Sequence, residues 1–325
     1  MKQEILAMLK ACPDYLSGQM LCDHFQVSRT AVWKVMNQLK NEGYHIESVP
    51  NRGYRLIQDT DILHEDELQQ AVRGKWAGCR VIYKKITGST NLDAAAAAGE
   101  LPHGAVIVAD EQTAGRGRRG RNWISEPQGN IYFSLLLKPD FLPEKASMVT
   151  LIMALAVAKA IEIVVKLPAM IKWPNDIVIE GKKVCGILTE LRAEPDLIHH
   201  IVIGVGINAH QKNFEGEALT YATSIDRETG GFVNRTELLA EIWAQFETLY
   251  EEFEKTLDLS SLQEEYNGRL VDLGQKVRIL DPKGEYTALS GGIDAAGQLQ
   301  VAREDGSRES IYAGEVSVRG VYGYV

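Results

Sequence analysis

Residues 115–123 read GRGRRGRNW, and this stretch decides how the central part of the chain is interpreted. It holds four arginines and three glycines and ends on Trp123. Arginine presents a rigid, permanently charged fork to phosphate or carboxylate oxygens, and glycine lets a backbone approach a ligand closely. Tryptophan adds a flat face on which a purine can stack. The stretch predicts a loop that binds an anionic nucleotide, although a flexible basic loop that touches nucleic acid non-specifically has the same composition.

The composition of the 325-residue chain restricts what that loop can bind. A formal net charge of −9 argues against a general polyanion-binding protein, so contact with nucleic acid would need a local basic patch. The chain is 45 % hydrophobic, which suits a globular protein of two or three domains. Its four cysteines are far apart and form no CxxC pair, which favours free thiols in a reducing cytoplasm over disulfides or a zinc site.

No segment of the sequence predicts a membrane or a secretory protein. The N-terminus lacks the apolar region of a signal peptide. The longest apolar run, residues 148–165, is interrupted by Lys159 and Glu162 and predicts a buried core helix. We therefore expect a cytoplasmic protein.

Strand and helix patterns surround the arginine-rich stretch and predict a mixed α/β domain between residues 65 and 270. The predicted strands are residues 81–86, 106–109, 131–137, 171–174, 177–179, 184–191 and 201–207. An alanine-rich helix is predicted at residues 92–98, and an amphipathic one carries Ile242, Phe246, Leu249 and Phe253. Beyond residue 268 short strand-like segments alternate with turn signals, which predicts a small all-β domain. Those segments are residues 275–280, 285–289, 291–294, 299–301, 310–312 and 315–319.

Residues 1–60 predict a winged helix-turn-helix module. Helical spacing of Ile5, Leu6 and Leu9 predicts a first helix, and Ser17 and Ser28 are good N-caps for two more. The last helix would bury Ala31, Val35 and Leu39. Residues 44–49 and 53–57 flank a Pro-Asn-Arg-Gly turn and predict a hairpin wing. The side chains expected to reach DNA are Ser28, Arg29, Thr30, Lys34 and Asn37, with Arg52 near the tip of the wing.

The charge of this module leaves a second interpretation open. Residues 1–60 hold seven Lys/Arg and six Asp/Glu, so the module is only weakly basic. A small helical protein-interaction domain has the same pattern. If the module binds DNA, dimerisation is needed to raise affinity, with two recognition helices one helical turn or more apart.

Four strings occur in a fixed order along the chain: GRGRRGRNW at 115–123, KWPND at 172–176, GKKVCGIL at 181–188 and GVGIN at 204–208. With the winged helix, they resemble the bacterial biotin–protein ligases, in particular the bifunctional type that also represses biotin synthesis. The resemblance implies an α+β multidomain protein. Its parts would be a winged helix-turn-helix domain at 1–62, a class II synthetase-like α/β ligase domain at 63–270 and an SH3-like β-barrel at 271–325. Asn122 departs from relatives that carry a lysine there.

The resemblance implies a two-step reaction that needs no enzyme nucleophile. Biotin and ATP would form biotinyl-5′-AMP and pyrophosphate, and biotin would then pass to a lysine of the biotin carboxyl carrier protein of acetyl-CoA carboxylase. Catalysis would be positioning and charge neutralisation by arginines and Mg²⁺. The adenylate would act as corepressor by favouring a homodimer that binds operator DNA of biotin synthesis genes.

Residue roles also follow from the resemblance. Lys183, Arg116 and Arg118 are the expected catalytic residues. The expected biotin site is Ser89, Thr90, Asn91, Gln112, Gly115, Arg116, Arg118, Lys183, Gly186, Gly204 and Gly206. The expected ATP or adenylate site is Arg118, Arg119, Arg121, Trp123, Asn175, Asp176 and Asn208, with Asp176 also a possible magnesium ligand.

Each of these roles has a structural alternative. Residues 89–90 could simply cap the alanine-rich helix without binding a ligand. Lys183 follows a Gly-Lys turn, where a lysine is ordinarily solvated. Asp176 fits ordinary turn chemistry, and the glycines could be strand bulges. Trp173 is expected to pack in the core, and residues 199–200, a His-His pair, are expected on the surface without a metal.

Three other functions compete with the bifunctional one. A ligase with a vestigial DNA-binding domain is disfavoured by the intact Ser28-Arg29-Thr30 helix start and the wing arginines. A biotin-sensing repressor without catalysis is disfavoured by Lys183 and the full arginine-rich stretch. A lipoate ligase is a more distant alternative, and the same stretch is what separates it from a biotin ligase.

Overall fold

The computed structural model describes residues 1–41, 43–57, 61–125, 129–281, 284–313, 317–320 and 324–325. The chain separates into two compact units, Met1–Ile62 and Leu63–Val325, each with its own buried hydrophobic cluster. The domain boundaries expected at residues 62 and 270 stay predictions.

The N-terminal unit is a three-helix module with a two-stranded wing. It contains α1 (Lys2–Ala11), α2 (Gly18–Phe25), α3 (Arg29–Asn41), β1 (Ile46–Val49) and β2 (Gly53–Leu56). The Ser17 hydroxyl accepts from the backbone N–H of Gln19 and Met20, and that of Ser28 accepts from the N–H of Ala31. Both predicted helix starts are therefore confirmed.

The buried face of α3 differs from the predicted one by one position. Val32, Val35, Met36 and Leu39 are buried, whereas Ala31, which we expected in the core, is only half-buried. The buried residues are spaced i, i+3, i+4 and i+7, whereas the prediction used i, i+4 and i+8. The i, i+3, i+4, i+7 spacing is the one that keeps apolar side chains on a single face of an α-helix.

Gly53 joins the wing to the chain between α1 and α2. Its φ is +116°, and a Cβ there would lie 2.0 Å from the carbonyl oxygen of Leu16. Tyr54 and Leu16 exchange two backbone hydrogen bonds at this point. Only glycine permits so close a backbone approach.

A seven-stranded mixed sheet forms the centre of the second unit. Its strands are β3 (Val81–Thr87), β4 (Val106–Gln112), β5 (Ile131–Leu137), β6 (Met170–Lys172), β7 (Asp176–Ile179), β8 (Lys182–Glu194) and β9 (Leu197–Ile207). They lie in the order β3-β4-β5-β9-β8-β7-β6, and only β3 and β4 pair in parallel. This order brings the C-terminal ends of β4 and β9 and the N-terminal end of β8 to the same edge of the sheet.

The second unit also contains helices. They are α4 (Glu65–Ala71), α5 (Thr90–Ala96), α6 (Ala146–Val165), α7 (Ala218–Tyr221), α8 (Ile225–Thr229), α9 (Arg235–Thr256) and α10 (Gln263–Gly268), with 3₁₀ turns at Arg118–Gly120 and Pro143–Lys145. Of these, α4, α5 and α6 pack against the sheet, and α9 packs on α4 and α6. Within the described residues, Pro143–Val165 is the one helical stretch long and apolar enough to cross a membrane, and 67 % of its most apolar window is buried. The two charged residues of α6 are paired, Lys159 with Glu265 and Glu162 with Arg269. The expected core helix is confirmed.

Two strands run further than their apolar patterns predicted. Because β8 begins at Lys182, Lys183 lies inside a strand and not in the solvated turn considered above. β9 begins at Leu197, so the His-His pair lies on a strand, where successive side chains face opposite sides. His199 is exposed and pairs with Glu194, but His200 is buried, and its expected surface position is wrong.

The C-terminal strands form an antiparallel five-stranded sheet. They are β10 (Lys276–Asp281), β11 (Gly284–Ile293), β12 (Leu299–Ala302), β13 (Arg308–Ile311) and β14 (Ser317–Gly320), in the order β13-β12-β11-β10-β14. The predicted strands at 285–289 and 291–294 are one strand with a register shift between Ser290 and Ile293. Among the strands that the structure describes the sheet is open, and the expected barrel closure is not observed. Residues 315–316 of the last predicted strand lie outside the described residues.

Candidate functional site

Five sequence segments converge on one cavity of about 580 Å³ in the second unit. Sixteen of the predicted residues line it: Ser89, Thr90, Asn91, Gln112, Arg116, Arg118, Arg119, Arg121, Trp123, Asn175, Asp176, Lys183, Gly186, Gly204, Gly206 and Asn208. Gly115 is buried and does not line it. A cavity of this size, with converging polar and charged groups, is typical of a small-molecule site. Which of these residues bind biotin and which the adenylate stays a prediction.

The polar end of the cavity is a hydrogen-bonded group between α5 and β4. The backbone N–H and hydroxyl of Thr90 donate to Gln112 Oε1, at 2.9 and 3.2 Å. The Ser134 hydroxyl is 2.7 Å from Thr90 Oγ1 and 2.6 Å from Asn91 Oδ1. Ser89 occupies the N-cap position of α5 without a side-chain capping bond. Its buried hydroxyl therefore lines the cavity rather than capping the helix.

Asn91 links α5 to the sheet, and Gly204 makes room for it. Asn91 Nδ2 donates to the Leu188 carbonyl at 3.2 Å and to Glu190 Oε2 at 2.7 Å. A Cβ on Gly204 would lie 2.1 Å from Asn91 Oδ1. Because Gly204 has no side chain, the Asn91 amide can pack against its backbone. Gly204 also lines the cavity.

Gly186 and Gly206 form a flat patch on which the Trp123 indole lies. They are direct partners across β8 and β9, and a Cβ on either would come within 2.7 Å of the Trp123 ring. The ring also has Lys183 Nζ 5.5 Å from its centroid. Trp123 Nε1 is buried and has no hydrogen-bond partner within the described ranges. The indole predicted as an adenine wall therefore lies on the strand floor of the cavity, with a free donor.

The arginine-rich stretch is a compact turn. The Gly117 N–H donates to the Arg121 carbonyl at 2.7 Å, and the Trp123 N–H donates to the Gly115 carbonyl at 3.0 Å. A Cβ on Gly115 would lie 2.7 Å from the Trp123 carbonyl oxygen, so this glycine closes the base of the turn. Asn122 is exposed, and its backbone bridges to Arg116.

Arg118 is the arginine of this turn that is fixed by the rest of the unit. Its Nη1 donates to Asn175 Oδ1 at 2.7 Å, and its Nη2 donates to the Ala313 carbonyl. Arg116, Arg119 and Arg121 are exposed and also line the cavity. The Arg118 guanidinium is thus held in place at the edge of the cavity.

A half-buried ion pair also lines the cavity. Lys183 Nζ is 2.6 Å from Asp176 Oδ1, and the Tyr324 hydroxyl donates to Asp176 Oδ2. Burial opposes ionisation of Asp176, but the Lys183 and Lys172 ammonium groups hold the pKa of this carboxyl below its ordinary value. Burial lowers the pKa of Lys172 to about 8.

The magnesium role of Asp176 stays a prediction. Lys183 contacts its Oδ1 and Tyr324 donates to its Oδ2, and a carboxylate oxygen that accepts one hydrogen bond still has a lone pair for a metal ion. The described part of the chain contains no group of three or more His, Cys, Asp or Glu residues that could hold a metal ion.

One side of the cavity was missed by the sequence analysis. It consists of Gln211, residues 213–218, Tyr221 and Ala222. This polar segment has no motif or regular periodicity, so its sequence carried no signal. Asn208, which was predicted, donates to the Thr223 carbonyl at 3.0 Å and so connects β9 to the end of this segment.

Ser134, a lone polar residue in the apolar strand IYFSLLL, was a readable signal that we also missed. Trp173 is buried and packs as expected.

The predicted DNA-contact residues lie on α3 and the wing of the N-terminal unit. Ser28, Arg29, Thr30 and Lys34 are exposed, and Asn37 is half-buried. The Arg29 guanidinium donates to Gln19 Oε1, at 2.8 Å from Nη2. Sequence reasoning missed Trp33, an exposed tryptophan beside Lys34 on this surface.

The wing arginines are held by an aromatic ring. The Arg52 and Arg55 guanidinium carbons lie 4.3 and 4.7 Å from the centroid of the Tyr15 ring. Arg55 also pairs with Glu47 at 2.9 Å, whereas Arg52 is 3.6 Å from Asp14 and stays exposed. Arg52 is therefore the wing cation that remains available to a phosphate.

Comparison with known proteins identifies three matching sequence profiles. Residues 79–208 match the Biotin/lipoate A/B protein ligase family, residues 2–55 an HTH domain, and residues 272–319 the Biotin protein ligase C terminal domain. The three profiles follow the same order as the elements described above.

Individual relatives cover most of the chain. The bifunctional ligase/repressor BirA of Bacillus subtilis is 35 % identical over 308 residues, 94 % of each chain. The biotin–[acetyl-CoA-carboxylase] ligase of Paracoccus denitrificans is 32 % identical over 238 residues, 71 % of this chain and 97 % of that protein. The solved biotin protein ligase from Aquifex aeolicus in complex with biotin and ATP superposes with a TM-score of 0.66 at 30 % identity, covering 74 % of this chain and 99 % of that one.

Proposed function

This chain belongs to the family of bifunctional biotin ligase/repressors, and we propose that it adenylates biotin with ATP, transfers biotin to a carrier-protein lysine and represses transcription. The observation that carries the ligase role is the convergence on one cavity of three features. These are the arginine-rich turn, the Lys183–Asp176 pair and the glycine floor under Trp123.

The two ends of the cavity suit the two ends of biotin. The ureido group of biotin needs donors and acceptors, which Ser89, Thr90 and Gln112 supply at the polar end. The apolar ring and chain can lie beside the Trp123 indole, which covers the Gly186–Gly206 patch. The carboxylate then points toward Lys183 and the arginines, which are the groups suited to anionic oxygens.

The proposed first step needs no protein nucleophile. A biotin carboxylate oxygen attacks the α-phosphorus of ATP, the bond from that phosphorus to the bridging oxygen breaks, and pyrophosphate leaves. Lys183 and Arg118 neutralise charge that develops at the α-phosphate, and they are held in advance by Asp176 and Asn175. Mg²⁺ accompanies ATP and would neutralise phosphate charge when bound, and Asp176 is the residue proposed to hold it.

In the second step the acceptor lysine, as the free amine, attacks the biotinyl carbonyl carbon. The bond from that carbon to the phosphate oxygen breaks, AMP leaves, and the new amide nitrogen loses a proton to solvent. We propose the biotin carboxyl carrier protein of acetyl-CoA carboxylase as acceptor, because ligases similar to this chain carry that carboxylase in their names.

The N-terminal unit supports the repressor role. Arg29, Lys34 and Arg52 present exposed positive charge on a helix and a wing of the kind that binds operator DNA. The unit is only weakly basic, so one copy would bind weakly. We therefore propose that biotinyl-5′-AMP is the corepressor and that it favours a homodimer which binds an operator of biotin synthesis genes.

Three further properties belong to this proposal. Free thiols at all four cysteines, Cys12, Cys22, Cys79 and Cys185, support a cytoplasmic location. The antiparallel β10–β14 sheet supports an SH3-like C-terminal domain, and the mixed sheet with covering helices supports a class II synthetase-like centre.

Incubation with biotin, MgATP and a carrier domain that a known ligase modifies tests the enzyme role. We expect one biotin per acceptor by mass spectrometry, and no product when lipoate replaces biotin. Transfer of lipoate alone would assign the site to lipoate instead, and no transfer of either would contradict the ligase function.

Sedimentation and DNA binding test the repressor role separately. We expect biotinyl-5′-AMP to shift the protein from monomer to dimer and to tighten its binding to a palindromic site upstream of a biotin synthesis gene. An oligomeric state and a DNA affinity that both ignore the adenylate would contradict the corepressor proposal and leave the ligase proposal intact.

A further inference from the structure

Tyr324, the penultimate residue, lies against the catalytic ion pair. Its hydroxyl donates to Asp176 Oδ2, and its ring stacks on that of Tyr221 with centroids 4.8 Å apart and an interplanar angle of 14°. The Lys172 ammonium lies 4.2 Å from the centroid of the same ring. The Tyr324 side chain thus contacts the first and last residues of the KWPND string and a helix that lines the cavity.

We propose that Tyr324 is a positioning residue for biotin adenylation, which fixes the Asp176 carboxylate and through it the Lys183 ammonium. This inference rests on the ligase function proposed above. Tyr324 lies outside the residue ranges that match the three family profiles, so no family motif assigns it a role.

The hydroxyl of Tyr324 fixes the rotation of the Asp176 carboxylate. Oδ1 of Asp176 contacts Lys183 and Oδ2 accepts from Tyr324, so both oxygens have a defined position. A hydrogen bond to a buried carboxylate is strong and directional. Without it, the carboxylate can rotate about its terminal torsion, which is soft, and the Lys183 ammonium can follow it away from the cavity.

The ring of Tyr324 keeps a second ammonium group in a separate place. Lys172 Nζ donates to the Val318 carbonyl at 3.0 Å and lies over the Tyr324 ring, where the π face stabilises a cation. Lys172 is therefore held by Tyr324 and Val318, while Asp176 Oδ1 is engaged by Lys183. Loss of the ring would let both ammonium groups compete for one carboxylate.

The stack with Tyr221 connects this pair to the side of the cavity that carries no motif. Tyr221 ends α7 and lines the cavity with residues 213–218. Offset aromatic stacking adds stabilisation beyond the buried area of the rings. Tyr324 thereby holds the ion pair and the α7 segment in one arrangement.

Three variants of the full-length protein separate positioning from folding. Tyr324→Phe removes the hydroxyl and keeps the ring, and Tyr324→Ala removes both. Tyr286→Phe is the matched control, because Tyr286 also donates to a carboxylate, Glu309 at 2.8 Å, in the C-terminal sheet and outside the cavity. Biotin-dependent pyrophosphate release gives kcat and the KM values for biotin and ATP, and thermal unfolding gives stability.

We expect Tyr324→Phe to lower kcat about tenfold, with the KM for biotin within about twofold of wild type. Tyr324→Ala should lower kcat further and also raise the KM for ATP, because the α7 segment loses its stack. Tyr286→Phe should keep the wild-type kcat. A wild-type kcat in Tyr324→Phe, or a loss that Tyr286→Phe reproduces, would overturn the positioning role while the ligase function stands. A wild-type protein that releases no pyrophosphate would overturn the ligase function and this role together.

Discussion

Lys183 lies between a carboxylate and an aromatic ring, and that environment determines what its removal should do. Its ammonium contacts Asp176 Oδ1 and lies beside the Trp123 ring. In Lys183→Ala, charge at the α-phosphate loses the ammonium group that we propose neutralises it, and we expect the adenylation rate to fall by about 100-fold or more. Asp176 also loses a partner, so the free energy of unfolding should drop by about 1–3 kcal/mol.

Lys182→Ala is the matched control for this substitution. Lys182 is the preceding residue on β8, but its side chain is exposed. Its ion pair is long, with 3.6 Å between Lys182 Nζ and Glu228 Oε1. Quenched-flow measurement of biotinyl-5′-AMP and urea unfolding should show both losses in Lys183→Ala and neither in Lys182→Ala. A Lys183→Ala rate within tenfold of wild type would mean that this lysine is structural.

The Gly206→Ala variant tests whether the flat patch under Trp123 is needed for biotin binding. An added Cβ would lie 2.6 Å from the indole, too close for a rigid ring to tolerate without moving. We expect Gly206→Ala to displace Trp123 and weaken biotin binding about tenfold or more in titration calorimetry. Gly99→Ala, where a Cβ meets nothing within 4 Å, should bind biotin normally. Equal affinity in the two variants would rule out this role of the patch.

At the scale of single residues, motifs predicted membership of the site better than they predicted contacts. All but one of the motif residues expected in the second unit line the cavity, since chemistry and spacing mark them in the sequence. The contact of Gly204 with Asn91, the position of Trp123 on the glycine floor and the proximity of Tyr324 to Asp176 were not predictable. Each joins residues distant in the chain and depends on tertiary packing.

At the scale of elements, α3 is the part of the N-terminal unit whose function can be tested directly. Its exposed Lys34 is predicted to contact a DNA phosphate, a contact that carries no sequence information. Lys34→Gln should therefore weaken binding to operator and unrelated DNA alike. The slope of log affinity against log salt concentration should fall by about 1.

Lys2→Gln, on α1, is the charge-matched control for that experiment. Fluorescence anisotropy at several salt concentrations should give it the wild-type slope. If Lys34→Gln also keeps the wild-type slope, α3 does not contact the phosphate backbone through this residue.

Helix starts followed from the sequence more reliably than the limits of strands. Ser17 and Ser28 begin helices because their hydroxyls satisfy backbone N–H groups, a local effect that the sequence shows. β8 and β9 extend past their apolar cores to Glu194 and Leu197 because they pair with each other there. Strand pairing depends on a partner, so neither extension was visible in its own segment.

At the scale of the whole molecule, two compact units predict two separable activities. The cores of Met1–Ile62 and Leu63–Val325 consist of different sets of residues. The Aquifex aeolicus ligase matches only 74 % of this chain and has 99 % of its own length covered. We expect a chain that begins at Leu63 to fold cooperatively, to form biotinyl-5′-AMP at saturating substrates and to lose DNA binding. A truncated chain without a thermal transition would show that the second unit depends on the first.

We propose that biotin is adenylated in the cavity bounded by the arginine-rich turn, the Gly186–Gly206 patch and Lys183. The most direct test of this proposal is native mass spectrometry of the full-length protein after incubation with biotin and MgATP and removal of free ligand. We predict one biotinyl-5′-AMP per chain in the wild type and in Lys182→Ala, and little or none in Lys183→Ala. A wild-type protein that retains only biotin or only ATP, or a Lys183→Ala protein as fully loaded as the wild type, would contradict the account.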